Sequence, residues 1–202
     1  MQFVIGLGSG RCGTASLAKL LDAQPNSAVY HEKGNPLPWR VNPALLRRHL
    51  GAVKGTTLDL CGDVAFFYMP YMQLIEEQLQ PKYICLQRNR RDTVDSFIEW
   101  TEFRSPRRNH WQHHSGGDYT HTIHDQCFPK YDAESKRAAL YMYYDEYYDM
   151  AQQWAQELPK RFRIFPMDAL NTKLGVEAIL GFAGVTDPRV LVGLRRNIGP
   201  RS

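Results

Sequence analysis

Apolar residues along this chain alternate between short runs and longer stretches with helical spacing, and the two patterns predict different elements. The short runs are typical of buried strands and occur at residues 3–7, 27–31, 56–60, 83–86 and 161–166. Helical spacing first joins Leu17, Leu20 and Leu21 in a segment that ends at Asn26, and it recurs at residues 67–79, 93–103, 133–158 and 173–183. Strands that alternate with helices predict an α/β fold, a three-layer sandwich around a central, mostly parallel sheet.

Two stretches break this pattern. Residues 34–43 are rich in Pro and Gly. Residues 105–130 carry five of the seven histidines and no apolar periodicity, which predicts a long loop or lid inserted in a single domain that spans all 202 residues. The histidines of this segment include closely spaced pairs that could bind zinc: His110, His113, His114, His121 and His124. No regular cysteine frame accompanies them, so we expect no metal site and interpret the segment as a lid.

Composition and charge exclude several classes of protein. Hydrophobic residues make up 43% of the chain and charged residues 23%, as in an ordered globular protein. No apolar run approaches the roughly 20 residues that cross a bilayer, and no basic leader precedes the first strand, so we expect neither an integral membrane segment nor a secretory signal. The four cysteines form no CxxC pair, which favours reduced thiols and a cytoplasmic location. A net charge of +4 is too small for a nucleic-acid partner, but the basic clusters at residues 82–108 and 189–202 suit a compact anion.

The glycine-rich turn after the first strand predicts a phosphate site, because glycines let the backbone approach an anion and the next helix presents amides to it. Gly8 and Gly13 have the spacing of an ATP-type phosphate loop, but Thr14 stands in place of its lysine. The turn also matches the dinucleotide fingerprint through Gly8, Gly10 and Gly13. Glu32 lies nineteen residues after Gly13, near where a ribose-binding acid is expected. A Rossmann-type, NAD(P)-binding oxidoreductase is therefore one interpretation.

Another interpretation takes Arg11 and Thr14 as ligands of the phosphate, since a guanidinium offers forked donors and Thr14 adds its amide and hydroxyl. A second basic turn strengthens this interpretation. Arg88 ends a predicted strand, and Ser96 follows eight residues later in a predicted helix. Such a pair can hold one tetrahedral anion. Two units of this kind suit a nucleoside that carries phosphates at both ends.

The two motifs resemble the 5′-phosphosulfate loop and the 3′-phosphate site of sulfotransferases that use 3′-phosphoadenosine 5′-phosphosulfate (PAPS). The likeness extends to residues 162–170 and 180–184 and leaves residues 35–55 and 105–130 unmatched. It implies that PAPS is the co-substrate, that adenosine 3′,5′-bisphosphate (PAP) is the product, and that no metal is required. The resemblance implies these cofactor-binding residues: Gly10, Arg11, Cys12, Gly13, Thr14, Ala15, Ser16, Arg88 and Ser96, with Arg195 and Arg196 folding back onto the 3′-phosphate. Ala15 departs from the second threonine of the family's loop.

Sulfuryl transfer needs a base for the acceptor's hydroxyl proton and positive charge on the leaving phosphate. We assign the first role to Glu32, where the resemblance implies a catalytic glutamate, and the second to Arg11. His31 is the alternative base, and strand alternation predicts that it points away from Glu32. The acceptor is expected to be a small molecule or a carbohydrate, with Asp59 and Asp63 as candidates for contacts to it. A non-catalytic nucleotide-binding module is the third interpretation.

Overall fold

Five strands form one parallel sheet in a computed structural model of the chain, which describes residues 2–53, 58–104, 109–113 and 122–194. In chain order the strands are β1 Gln2–Leu7, β2 Ser27–His31, β3 Leu60–Val64, β4 Lys82–Gln87 and β5 Phe162–Pro166. They lie in the order β2-β3-β1-β4-β5, and every neighbouring pair is parallel, which confirms the predicted sheet. The predicted third strand is displaced: β3 begins at Leu60, where the prediction ends, and residues 56–57 lie outside the described part of the chain.

Helices follow most of the strands. The α-helices of the described residues are α1 Thr14–Asp22, α2 Pro43–Val53, α3 Met72–Gln78, α4 Arg90–Arg104, α5 Thr122–Gln126, α6 Lys136–Glu157 and α7 Lys173–Ala183. Short 3₁₀ segments at Phe66–Tyr71 and Met167–Asn171 precede α3 and α7. Within the described ranges, no helix has both the length and the apolar character needed to cross a membrane.

The prediction lacks α2 and α5. Pro43 occupies the first position of α2, where the missing amide costs no helical hydrogen bond. Asn42 caps this helix, since its side-chain oxygen accepts a hydrogen bond of 3.1 Å from the amide of Leu45. The predicted loop over 105–130 contains one short helix, α5, which the sequence pattern did not indicate. The same segment also contributes Trp111, whose side chain is fully buried in the core.

Two apolar clusters cover the two faces of the sheet and give the predicted three layers. Leu17 of α1 and Ile179 of α7 belong to the cluster on one face, and Tyr147 of α6 belongs to the other. The central strands approach closely at Gly62, because a Cβ added there would lie 1.9 Å from the carbonyl oxygen of Val4. Tight pairing of β1 with β3 therefore fixes the middle of the sheet.

The carboxyl ends of the parallel strands meet at one edge of the sheet, where open α/β proteins bind their ligands. This edge carries the turn after β1 (residues 8–13), the turn after β2 that begins at Glu32, and the turn after β4 that holds Arg88. The topology thus gathers at one place three segments that are far apart in the sequence.

Candidate functional site

The turn after β1 is shaped to expose backbone amides. Gly10 and Gly13 have left-handed backbone angles, with φ of 89° and 93°, and the non-glycine Arg11 between them has φ of 57°. No side chain caps α1, and the amides of Gly13, Thr14 and Ala15 donate to no acceptor among the described residues. Amides at a helix start are suited to bind an anion.

Not every predicted ligand in this turn can use its side chain. Cys12 is fully buried in the apolar cluster under α1, and burial raises the pKa of its thiol to about 11. Ser16 is also buried, and its amide donates to the carbonyl of Gly13 at 3.0 Å. Ala15 has no polar side-chain atom. Cys12 and Ala15 can therefore contact a ligand only through their backbone atoms.

Tyrosines of α6 hold this turn in place. The Tyr147 hydroxyl accepts a hydrogen bond of 2.9 Å from the Gly8 amide and donates one of 3.2 Å to the carbonyl of Phe66. The Tyr143 hydroxyl donates to the carbonyl of Ser9 at 2.9 Å. Two further tyrosines of α6 reach the end of β4: Tyr148 donates to the Leu86 carbonyl and Tyr144 to the Arg88 carbonyl, at 2.8 and 2.6 Å. The helix therefore fixes the backbone of both predicted phosphate turns.

The two predicted phosphate turns are in direct contact. The Arg11 Nε donates to the Ser96 hydroxyl at 3.0 Å, and an Arg88 Nη donates to the carbonyl of Arg11 at 3.1 Å. Burial and the nearby charge of Arg88 lower the pKa of Arg11, while Glu99 acts in the opposite direction. Among the described residues, neither arginine forms an ion pair with a carboxylate. Two guanidinium groups and a hydroxyl thus converge at the carboxyl edge of the sheet.

The cap and the ion pairs of α4, the helix after Arg88, are formed by other residues. Asn89 caps α4, since its side-chain oxygen accepts from the amides of Arg91 and Asp92 at 3.0 and 3.3 Å. Asp95, which could have neutralised Arg88, instead pairs with Arg137 and with Arg91. Arg88 therefore remains at the edge of the sheet rather than in a surface ion pair along α4.

The two candidate bases lie on the same side, which corrects the prediction from strand alternation. The His31 Nε2 is 3.2 Å from the Thr14 hydroxyl and 3.8 Å from a carboxylate oxygen of Glu32. Alternation ends at the end of β2, because Glu32 has a left-handed φ of 52° while its amide still bonds the carbonyl of Val64. The turn of the backbone brings both side chains toward the start of α1.

A buried carboxylate lies behind Glu32. Asp63 is fully buried and accepts hydrogen bonds from the Lys33 amide at 3.3 Å and from the Tyr68 hydroxyl at 2.7 Å. His49 completes the group, with its Nε2 2.7 Å from the Tyr68 oxygen. Burial, and then the charge of Asp63, raise the pKa of Glu32 to about 7. The hydrogen bond to Lys33 also ties the turn that carries Glu32 to β3.

Neither Asp59 nor Asp63 is placed where the predicted contacts to an acceptor could form. Asp63 is inaccessible within β3. Asp59 precedes that strand, so it lies at the amino edge of the sheet, opposite the site. The displaced third strand explains both errors, because a strand at 56–60 would have put these residues at its carboxyl end.

A cavity of about 460 Å³ borders Arg88 at the ends of β4 and β5. Tyr144, Ile164 and Pro166 supply its apolar walls. Arg195 and Arg196, which are predicted to reach the same region, lie outside the described residues, as do His114 and His121.

The remaining histidines of the predicted lid do not build a metal centre. His110 is buried, stacks on Phe128 with ring centroids 5.4 Å apart, and faces the Asp125 carboxylate at 3.7 Å. His113 is exposed. Across the described ranges, no group of three His, Cys, Asp or Glu side chains is arranged to hold a metal ion.

The strand order argues against dinucleotide binding. In the Rossmann arrangement the strand that carries the ribose-binding acid lies next to the strand before the glycine-rich turn. Here β3 separates β2, which precedes Glu32, from β1, which precedes Gly8. Glu32 therefore does not occupy the place of the ribose-binding acid, and the spacing of nineteen residues is misleading.

Comparison with known proteins identifies the class of fold. No protein-family model and no curated protein sequence matches the chain. Among solved structures, mouse sulfotransferase SULT7A1 complexed with PAP has a TM-score of 0.56 and 14% identity, over 93% of this chain and 60% of the mouse chain. A sulfotransferase from Alicyclobacillus acidocaldarius has a TM-score of 0.54 and 16% identity, over 99% of this chain and 87% of the bacterial one.

The chain has a sulfotransferase fold, and the resemblance first drawn from two short motifs is confirmed at that level. The chain spans about 60% of the length of the mouse protein.

Proposed function

We propose that this protein is a sulfotransferase that moves a sulfuryl group from PAPS to the hydroxyl of a small acceptor. The observation that carries the proposal is the convergence of Arg11, Arg88 and Ser96 at the carboxyl edge of the sheet. Two adjacent cations with no carboxylate partner among the described residues create a local positive potential that favours an anion. Because the cations come from two different turns, a ligand with two separate anionic groups suits them better than a single phosphate.

Each turn has donors suited to one end of PAPS. Arg11 and the amides of Gly13 and Thr14 would hold the 5′-phosphosulfate. Arg88 and Ser96 would hold the 3′-phosphate, and the cavity beside Arg88 offers space for the adenosine. The left-handed glycines support this fit, because they leave the backbone of the turn open to close approach. Additional contacts from Arg195 and Arg196 remain a prediction.

PAPS supplies the sulfuryl group and the nucleoside bisphosphate that leaves. The acceptor oxygen forms the new bond to sulfur while the bond between sulfur and the 5′-phosphate oxygen breaks, and Glu32 takes the hydroxyl proton. Arg11 and the amides at the start of α1 stabilise the charge that develops on the leaving phosphate. A pKa of about 7 suits Glu32 to this role, because a base is efficient when its pKa lies near the working pH. His31, between Thr14 and Glu32, orients the carboxylate.

Thermal unfolding with and without PAP tests the binding step. At a concentration about a hundredfold above Kd, PAP should raise Tm by roughly 5–10 °C through mass action. Arg88→Ala should abolish this rise. Arg91→Ala is the matched control, because Arg91 lies in the same basic turn but its side chain is 83% exposed, and it should keep the full shift.

Turnover of ³⁵S-labelled PAPS with a panel of hydroxyl acceptors tests the chemistry. A rise in Tm with NADH but not with PAP would restore the dinucleotide interpretation. Binding of PAP without turnover of any acceptor would identify a nucleotide-binding module instead.

A further inference from the structure

Three buried polar side chains from three different elements form a connected group behind Glu32. His49 comes from α2, Tyr68 from the 3₁₀ segment before α3, and Asp63 from β3. The Tyr68 hydroxyl donates to an Asp63 oxygen at 2.7 Å. The His49 Nε2 lies 2.7 Å from the Tyr68 oxygen and 3.5 Å from the same Asp63 oxygen. Burial of polar groups lowers stability unless they are paired, so this group calls for a role beyond packing.

The hydrogen positions in this group follow from its chemistry. An ionised carboxylate can only accept hydrogen bonds, so the single hydroxyl hydrogen of Tyr68 is used on Asp63. Burial, and then the charge of Asp63, raise the pKa of Tyr68, which keeps that hydrogen in place. The Tyr68 oxygen therefore accepts from His49, whose Nε2 carries a hydrogen. His49 thus fixes the direction in which the Tyr68 hydroxyl points.

The two neighbouring carboxyl groups, Asp63 and Glu32, have unequal sets of donors. Asp63 also receives the Lys33 amide, which lies 3.3 Å from each of its oxygens. The Glu32 carboxylate faces the His31 Nε2 at 3.8 Å, which is beyond hydrogen-bond distance. Donors stabilise the ionised form of a carboxyl group, so the geometry favours charge on Asp63 and a proton on Glu32.

The other titratable groups around Glu32 do not take the place of Asp63. Burial, and then the charge of Glu32, raise the pKa of the Cys127 thiol to about 12, so this thiol is neutral near pH 7. The Lys33 ammonium lies over a tyrosine ring of β2, 3.4 Å from its centroid. His31 approaches Glu32 from the side of α1. Asp63 is therefore the nearby negative charge that, after burial, raises the pKa of Glu32 to about 7.

Access from outside differs between the two carboxyl groups. Asp63 is fully buried within β3, whereas the Glu32 side chain is 38% exposed at the carboxyl edge of the sheet. A proton bound to Asp63 could not be exchanged with an acceptor. The member of the pair that binds the proton thus decides whether the pair can act as a base.

We propose that Tyr68 and His49 are positioning residues: by donating toward Asp63 they keep the negative charge on that buried residue, so that Glu32 is the member of the carboxyl pair that binds and releases the proton. Neither residue touches substrate, and both act through Asp63. The inference rests on the sulfotransferase function proposed above for the use that is made of this proton.

Carbon-13 NMR of the ligand-free protein, with labelled Glu and Asp carboxyl carbons, tests the assignment from pH 4 to 9. Glu32→Gln and Asp63→Asn identify the two signals. In the wild type, the upper titration step of the pair should appear in the Glu32 signal. Tyr68→Phe removes the shortest hydrogen bond to Asp63, so most of this step should pass to the Asp63 signal, and Glu32 should titrate at lower pH. The carboxyl signals report these two groups directly, which separates them from His31.

Tyr71→Phe is the matched control. Tyr71 lies in the same 3₁₀ segment and is fully buried, but its hydroxyl donates to the Pro38 carbonyl at 2.8 Å. This variant also loses a buried hydrogen bond, yet the upper step should stay in the Glu32 signal.

Two variants of His49 test its support of Tyr68. His49→Leu removes the donor to the Tyr68 oxygen and should move part of the upper step to the Asp63 signal. His49→Gln should keep the step in the Glu32 signal, because the glutamine amide can donate from the place of the imidazole Nε2. These variants decide the matter even where Tyr68→Phe does not fold.

Three results would overturn the inference: an upper step in the Asp63 signal of the wild type, a step that stays on Glu32 in both Tyr68→Phe and His49→Leu, or an equal transfer in Tyr71→Phe. The titration uses no nucleotide, so it is independent of the proposed function. Failure of PAP to raise the Tm of the wild type would overturn that function and leave the assignment of the proton in place.

Discussion

At the scale of single residues, burial and neighbouring charge decide what a side chain can do. Glu32 is the clearest example. An exposed glutamate is fully ionised at neutral pH and is a weak base, whereas burial and the charge of Asp63 raise the pKa of Glu32 to about 7. Arg11 and Arg88 are suited to bind an anion for a different reason, because no carboxylate of the described residues forms an ion pair with either guanidinium.

The pH dependence of activity tests this account of Glu32. Because the proposed base is the ionised carboxylate of Glu32, kcat/KM should rise with pH and level off above about 7. Asp63→Asn removes the nearby negative charge and should move this acid limb to lower pH, while burial keeps it above the value of a free glutamate. Glu32→Gln should lower kcat about 10²–10⁴-fold. The measurement is a rate profile from pH 5 to 9.

The position of the limb separates this electrostatic role from a structural one. A general loss of fold in Asp63→Asn would lower the rate at every pH and leave the midpoint in place. A wild-type limb near the ordinary glutamate range, or one unaffected by Asp63→Asn, would show that another group titrates.

At the scale of elements, α6 is both a core helix and the support of the site. Its tyrosine rings pack in the apolar cluster while their hydroxyls bond backbone atoms at the ends of β1 and β4. A helix with this arrangement holds two turns in fixed relation before any ligand binds. Such preorganisation reduces the entropy that binding would otherwise cost.

Removal of one hydroxyl tests the support given by α6. Tyr147→Phe leaves the buried amide of Gly8 and the carbonyl of Phe66 without this partner, which should destabilise the protein by about 1–3 kcal/mol. It should also weaken PAP binding several-fold, because the turn after β1 loses its anchor. Urea unfolding and calorimetric titration measure the two effects.

Tyr141→Phe is the matched control, since Tyr141 lies in the same helix but packs beneath Arg90 away from the turn after β1. It should leave PAP affinity unchanged. Equal effects of the two substitutions on affinity would show that α6 does not position the turn through Tyr147.

At the scale of the whole molecule, the site lowers the stability of the fold that carries it. The native state holds Glu32 in surroundings that disfavour its charge, and it holds Arg11 close to another cation. Natural proteins commonly accept such a loss of stability at a functional site.

The pH dependence of global stability follows from Glu32. Its pKa is higher in the folded state than in the unfolded chain, so the native state retains a proton that the unfolded state has released between about pH 4.5 and 7. The contribution of Glu32 is therefore fully present below about pH 4.5 and is lost as pH rises through 7. Glu32→Gln should unfold with a free energy roughly 1 kcal/mol above the wild type at pH 8, a figure reduced because the side chain is 38% exposed.

The difference in the free energy of unfolding between Glu32→Gln and the wild type should vanish at pH 4, where both the glutamine and the protonated Glu32 are neutral. Urea unfolding at the two pH values measures it. A variant that is less stable than the wild type at pH 8 would mean that the Glu32 carboxylate is stabilised in the fold.

The sequence by itself determined the local features of this protein. The spacing of apolar residues predicted α6, α7 and four of the five strands, because a helix or a strand repeats over a few residues whatever surrounds it. The two predicted phosphate turns were visible for the same reason, since each is a short strand–turn–helix unit. By contrast, α5 has only five residues, too few to show a period. The buried residues of α2 do recur at helical spacing, but this helix was missed because it follows directly on a stretch rich in Pro and Gly.

Tertiary structure alone decided how these pieces meet. The Tyr147 hydroxyl and the Gly8 amide are 139 positions apart, so no local pattern could pair them. Strand order placed β3 beside β1, which removed the dinucleotide interpretation and buried Asp63 behind Glu32. The left-handed turn at Glu32 overrode strand alternation. Charge, burial and proximity depend on which distant segments become neighbours, and only the folded chain fixes those neighbours.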